Sequence, residues 1–480
     1  MKYCIQKTCI TFVFVLICLQ PLLAEEINSL PKTLNYHLNI DVDYKQEKLF
    51  ATCELTVQNS DKKPLDTIPL NLYRLLEVRS VKDSEGKDLS FSQDIVKFKD
   101  EERMQVNHIR VKPQHPLQPG EKRTISIRYD GYLHGYLEVM GYVRDHIDKK
   151  YTVLRPDCLA FPEVGVPSWK INRAAGFQNF SYIASVTVPG SLVVANGGKL
   201  ISKKTTEGKT TYTYRDLVPS WRIDLAISDY QILEDPKHKF KIFYFPQDKE
   251  GAKNLLESMS KAMRLYTRWF GPLKIYKGLT VIEIPDGCGS QTDITTILQV
   301  ESAFKSNEKH YRFYHELSHL WNVTSRDKLP PRFESEGLAM FLQYLVQEKL
   351  EGKPQALEAA VQRIREYFRE DCENNPEWKN VPMIAYGEKG ITDLSYLKGM
   401  IFFYILDKLL GEEKFLKTMG SFYQAFYDAG ATAGEFLDYV KKSSQVNLDL
   451  FFKEWVLGAK SSELIIGQIP ITEIVNRYRR

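Results

Sequence analysis

The apolar pattern of this chain changes period once, near Asp235-Pro236, and that change divides it into two folding problems. From about Thr33 to Leu233 the pattern has a period of two. In LFATCELTV, Leu49, Ala51, Cys53, Leu55 and Val57 alternate with Phe50, Thr52, Glu54 and Thr56. RTISIRY repeats the alternation with Ile125, Ile127 and Tyr129, and the runs around Val186 and Tyr212 follow it. A period of two sends one face of a strand inward and the other outward. Turn sequences such as NSDKKP, DSEGKD, QPGEK and TTEGKT separate the runs. Many short strands without a strong helix predict an all-β, sandwich-like domain over residues 25–235.

Beyond that point the period lengthens. Ala252, Leu255, Leu256, Met259, Met263, Tyr266 and Trp269 recur at helical spacing, and Gly271-Pro272 closes the run. GLTVIEIP and DITTILQV read as strands, and nearly everything from Glu308 onward reads as helix. Residues 236–480 are therefore expected to be α+β, a small sheet followed by a helical block.

Charge excludes one class of function. Lys plus Arg is 65 against 61 acids in 480 residues, with no long basic run, so nothing supports nucleic-acid binding. The first residues carry a different message. Lys2 and Lys7 precede the apolar run Ile10–Leu19, Pro21 breaks it, and Leu22-Leu23-Ala24 leads to Glu25-Glu26. This is the layout of a secretory signal peptide over 1–24, cleaved near Ala24, which predicts a periplasmic or secreted protein. The run is short for a membrane anchor, which needs roughly 20 residues, and no other stretch suits a stable span. Cleavage would remove Cys4, Cys9 and Cys18 and leave Cys53, Cys158, Cys288 and Cys372, whose spacing fits no zinc or disulfide scaffold.

One short stretch carries chemistry. RFYHELSHLW places His315 and His319 four apart, on one face of a helix, with Glu316 between them. Two imidazoles at that spacing suit zinc, and a carboxylate beside the first can act as base toward an attacking water. The plain alternative is a charged helical hairpin with two partly exposed histidines. A third ligand decides between the two. LPPRF turns the chain, and ESEGLAMFLQYL begins a second helix with Glu334 and Glu336 near its start. Two residues apart, they face different ways, so at most one shares the metal. The other is a helix-start acid or a partner that holds a histidine.

At these residues the sequence resembles the gluzincin metallopeptidases, most closely the aminopeptidase N and leukotriene hydrolase family. That family carries His-Glu-x-x-His and then a glutamate within Asn-Glu-Gly. Here SEG puts Glu336 at that place, after a loop of sixteen residues that is shorter than the family's. HLWNV is similar to the glycyl aminopeptidase family. LSYLKGM resembles the family's Tyr-x-Lys-Gly helix, which implies Tyr396 as the donor to the oxyanion. NLDLFFKEWVLG resembles the segment that closes the catalytic domain, and the early strands resemble the family's N-terminal β domain.

The resemblance implies an N-terminal β-sandwich followed by a thermolysin-like catalytic domain. It implies one zinc per chain on His315, His319 and Glu336, with Glu316 and Tyr396 catalytic and peptides as substrates. One motif departs. Where the family's Gly-x-Met-Glu-Asn strand supplies a glutamate for the substrate's α-amine, this chain reads GCGSQ, with Ser290 in the glutamate's place. Gly287, Cys288, Gly289 and Ser290 are then the expected peptide-binding backbone, without the ion pair. The expectation is an aminopeptidase with an altered N-terminus-binding motif. The alternatives are an endopeptidase of the same zinc class, or a zinc-containing peptide-binding protein with little turnover.

Overall fold

The computed structural model describes residues 30–176 and 178–479, and the expected signal segment lies outside them. The chain divides into two compact units, one ending at Tyr230 and the other beginning at Gln231. The pattern change at Asp235-Pro236 falls after the hairpin strand β5 has begun, as described below.

In the first unit, β1 (Lys32–Asp43) pairs antiparallel with β2 (Lys48–Gln58), which pairs antiparallel with β3 (Lys122–Gly131). β4 (Ser181–Pro189) runs parallel to β1 on its other side. These belong to a seven-stranded sheet, accompanied by a four-stranded and a three-stranded one. All three contribute to a single apolar core. The alternation behaves as the sequence analysis expects. Leu49, Ala51, Cys53, Leu55 and Val57 are buried, and the residues between them are not.

The second unit opens on a five-stranded sheet. Its strands are β5 (Gln231–Asp235), β6 (Phe240–Tyr244), β7 (Leu279–Ile284), β8 (Gln291–Thr292) and β9 (Thr296–Val300), in the order β5-β6-β7-β9-β8. β6, β7 and β9 are parallel, and the 22-residue helix α1 (Lys249–Phe270) forms the crossover from β6 to β7. β7 and β9 are buried at every position, as strands covered on both faces are. The second expected strand starts late. Asp293 Oδ1 accepts from the backbone N–H groups of Thr295 and Thr296, and this local turn holds 293–295 out of the ladder.

Helices follow: α2 (His310–Ser318), α3 (Leu338–Glu351), α4 (Ala356–Asn374) and α5 (Leu394–Leu410), then shorter ones to Tyr478. They share one core with α1 and the sheet. Among the described residues no helix is long and apolar enough to cross a membrane.

Candidate active site

α2 is fixed by burial of Phe313, Tyr314 and Leu317, and the Tyr266 hydroxyl of α1 donates to the Tyr314 carbonyl at 2.8 Å. His315 sits in its last turn. His319 opens the 3₁₀ turn His319–Trp321 that ends the segment, and the two imidazoles lie 4.9 Å apart, nearly perpendicular. After the loop, Phe333–Gly337 forms one π-helical turn before α3. Such wide turns are uncommon and concentrate at functional sites. This one carries Glu334 and Glu336, and only Glu336 turns toward the histidines.

Glu336 Oε2 is 3.4 Å from His315 Nε2 and 3.5 Å from His319 Nε2. The three groups offer ligand atoms that all lie within 4.8 Å of one another. A separation near 3.4 Å is long for a charge-assisted hydrogen bond. It matches the edge, roughly 3.3–3.5 Å, of a tetrahedron whose ligands stand roughly 2.0–2.2 Å from a zinc ion. Glu336 Oε2 is buried and makes no hydrogen bond, as expected of a carboxylate oxygen kept for a metal.

The far sides of the imidazoles agree. His315 Nδ1 lies 3.1 Å from Gln343 Oε1, so Nδ1 carries the proton and Nε2 presents its lone pair. His319 Nδ1 lies 2.8 Å from the Asn322 side-chain amide, whose oxygen and nitrogen ends exchange by a half-turn. The donor set therefore fits zinc. Glu334 holds neither histidine, because Gln343 and Asn322 occupy those places. Its Oε2 is buried without a hydrogen bond, and burial, with Asp327 nearby, pushes its carboxyl up to about 7.

Glu316 is 8% exposed. The Thr292 hydroxyl, on the short edge strand β8, lies 2.7 Å from its Oε2 and 3.0 Å from its backbone carbonyl. Tyr396, in the first turn of α5, stacks its ring on His315 at 6.1 Å. Burial first, and Glu336 next, raise its phenol well above the usual value, so it stays an O–H donor. Arg332 approaches from the loop. Its Nη2 pairs with Glu336 Oε1 and lies 3.5 Å from the Tyr396 hydroxyl. Burial alone would raise the Glu336 carboxyl, but Arg332 and then His319 outweigh it and hold the group well below the carboxylate range. In return Glu336 raises His319 against the lowering effect of burial.

The four residues expected to bind peptide backbone are arranged otherwise. Gly287 and Gly289 have φ of 88° and 67°, so the stretch is a turn, and the strand is only Gln291–Thr292. The Ser290 hydroxyl accepts from Gln299 Nε2 at 3.1 Å and from the Val300 N–H at 3.2 Å, which spends it inside the sheet. Cys288 is 4% exposed. What touches Glu316 from this side is Thr292, which the sequence analysis did not single out. Arg332, Gln343 and Asn322 were missed as well. Gln343 follows Glu336 by two helical turns and Asn322 follows His319 by three residues, so spacing from the ligands marks both.

Residues 293–455 match the Peptidase family M1 domain, a stretch that begins just after the GCGSQ turn and includes every ligand candidate. No curated protein sequence matches the chain. Among solved structures it is similar to an M1 zinc metallopeptidase from Deinococcus radiodurans, at 18% identity and a TM-score of 0.63, over 91% of this chain and 93% of that one. A mutant of an M1 zinc metallopeptidase from Deinococcus radiodurans, bound to a Tyr-Ser-Ala substrate, aligns at 17% identity and a TM-score of 0.62, over 91% and 94%. At that identity the likeness speaks for the two-domain fold. Family match, fold and the convergence of His315, His319 and Glu336 agree: residues 293–455 carry a Peptidase family M1 domain whose ligand set is that of a zinc metallopeptidase.

Proposed function

We propose that this protein is a one-zinc aminopeptidase in which His315, His319 and Glu336 hold the metal, Glu316 moves the proton and Tyr396 steadies the oxyanion. The observation that carries the reading is the convergence of three ligand atoms, from buried His315 and Glu336 and part-buried His319, beside a carboxylate and a protonated phenol. Zinc bound there would supply Lewis-acid chemistry, acidifying a water and polarising the scissile carbonyl. The chain's own groups supply the rest. Thr292 occupies Glu316 Oε2, which leaves Oε1 to take a proton from the attacking water and return it to the leaving amine. The Tyr396 O–H donates to the oxygen that gains charge as the tetrahedral intermediate forms.

Aminopeptidase action rests on the family resemblance and on the short peptide bound by a structural neighbour. Ser290 weighs on the other side, since its hydroxyl is engaged within the sheet and cannot pair with an ammonium group. Endopeptidase action is therefore the second reading.

One experiment addresses both. The wild type should contain close to one zinc per chain and cleave free-amine peptides. Glu316→Gln should keep the zinc and lose about 10²–10⁴-fold in kcat, the range for a positioned base. Full activity in that variant would overturn the mechanism. An N-acetylated peptide should be cleaved far more slowly than its free-amine twin, and equal rates would favour internal cleavage.

A further inference from the structure

Arg332 is not among the groups the mechanism above uses, yet it touches two of them. Its Nη2 pairs with Glu336 Oε1, while Glu336 Oε2 faces the two imidazoles. The same nitrogen lies 3.5 Å from the Tyr396 hydroxyl, and the guanidinium carbon is 5.8 Å from the centre of the Tyr396 ring. This is no rim ion pair. The Glu336 side chain is 8% exposed and the Arg332 side chain 37%, so the guanidinium reaches from the loop into a nearly closed site.

The backbone is built to put it there. Arg332 has φ of 66° and ψ of 1°, a left-handed conformation that a long side chain rarely adopts and that tends to persist at functional sites. The loop before it is clamped. Gly387 lies so close under the Leu329 and Pro330 carbonyls that a Cβ there would come within 2.0 and 2.5 Å of them. The Ser395 hydroxyl, on α5 beside Tyr396, donates to the Pro331 carbonyl. Loop, arginine and tyrosine are thus tied at both ends.

We propose that Arg332 is a positioning residue that takes one oxygen of Glu336, so that only the other is offered to the metal, and that fixes the Tyr396 phenol against the same carboxylate. A free carboxylate can rotate and present either or both oxygens. A guanidinium nitrogen on Oε1 removes that choice, and the planar group fixes the direction of the contact as well as its charge. The metal ligand and the oxyanion donor then keep one relative geometry. This rests on the zinc reading proposed above.

The test uses the full chain with Arg332→Gln and Arg332→Lys, alone and combined with Tyr396→Phe. Zinc affinity is read by competition with a chromogenic chelator, independently of turnover, and folding by thermal melting of the metal-free protein. Arg332→Gln should bind zinc 10- to 100-fold more weakly, the usual effect of losing a group that holds a ligand. At saturating zinc it should lose kcat with KM little changed, and Tyr396→Phe should cost less in its background than in the wild type. Arg332→Lys, which keeps the charge and loses the planar guanidinium, should recover part of the zinc affinity. Unchanged zinc affinity in a folded Arg332→Gln, or fully additive costs with Tyr396→Phe, overturns the proposal. Should Arg332→Gln not fold, Arg332→Lys decides on the same readouts, with wild-type affinity and additivity again overturning it. A wild type that binds no zinc would sink the functional reading itself, which is a different result.

Discussion

Lys398 lies two residues beyond Tyr396 with no exposed surface, its Nζ 3.3 Å from Ser462 Oγ and 5.8 Å from the centre of the Tyr386 ring. Burial pushes its ammonium down to about 7, and the Cys372 thiol nearby counters this only in part. The unfolded chain returns this lysine to its ordinary value near 10.4. Between about pH 7 and that value the unfolded state therefore binds the extra proton, and stability rises with pH. Below about 7 both states are protonated and the cost of burying the charge is present in full. Lys398→Met keeps the length and removes the charge. It should stabilise the protein at pH 7 by something on the order of 4 kcal/mol, with the gain shrinking as pH approaches 10. Urea unfolding of both proteins across that range checks this, and curves that stay parallel would show that the lysine does not titrate there. The residues proposed to do the chemistry announce themselves by type and spacing, as His315, Glu316 and His319 do. Lys398 does not, because what makes it unusual is the depth of its burial, which a single sequence does not state.

At the scale of elements, the site depends on one backbone crossing. A Cβ added to Gly337, at the end of the π turn, would lie 2.6 Å from the Gly399 Cα, and one added to Gly399 would lie 2.8 Å from the Gly337 Cα. Glycine inside a helix is destabilising relative to alanine by about 0.5–1 kcal/mol, so two of them meeting face to face indicate a packing demand. The crossing brings Glu336, one residue before Gly337, against Tyr396, three before Gly399. Gly399→Ala should push the turn off α5. We expect a loss of about 1–3 kcal/mol in stability and a fall in kcat beyond what partial unfolding explains. A variant with wild-type melting temperature and kcat would show that the crossing has slack. The two glycines were visible in SEG and LKG, but the contact between them joins distant parts of the chain, so the π turn was not readable from local pattern. The GCGSQ segment shows the opposite case. Pro285-Asp286-Gly287 is turn chemistry by any local reading. The positive φ values at Gly287 and Gly289 bear out that local signal. The alternating strands of the first unit were readable because one buried face imposes a period of two on the residues themselves.

At the scale of the whole molecule, each unit carries its own apolar core, and the cysteines divide between them. Cys53 and Cys158 are in the first core and Cys372 in the second, while Cys288 is buried in its turn, and none of the four forms a disulfide. Burial raises the thiols of Cys53, Cys158 and Cys372, that of Cys372 to about 11, so they are held protonated and poorly reactive. This matters for the export expectation, which rests on residues 1–24. An oxidising compartment tends to pair thiols that can meet, and a protein with four cysteines escapes that only if they are kept apart and enclosed. The other three cysteines, Cys4, Cys9 and Cys18, all belong to the segment expected to be removed. Export with cleavage and the buried free thiols therefore make one joint prediction. Protein recovered from the exported fraction should have an intact mass that starts at Glu25. Without reductant it should show four reactive thiols in denaturant and almost none in the native state. A mass that retains residues 1–24 would reject cleavage near Ala24, and fewer than four thiols in denaturant would mean that a disulfide forms where this structure has two separate sulfhydryls. The native count tests the fold at the same time, because Cys53, Cys158 or Cys372 could react without denaturant only if a core opens, and Cys288 only if its turn does.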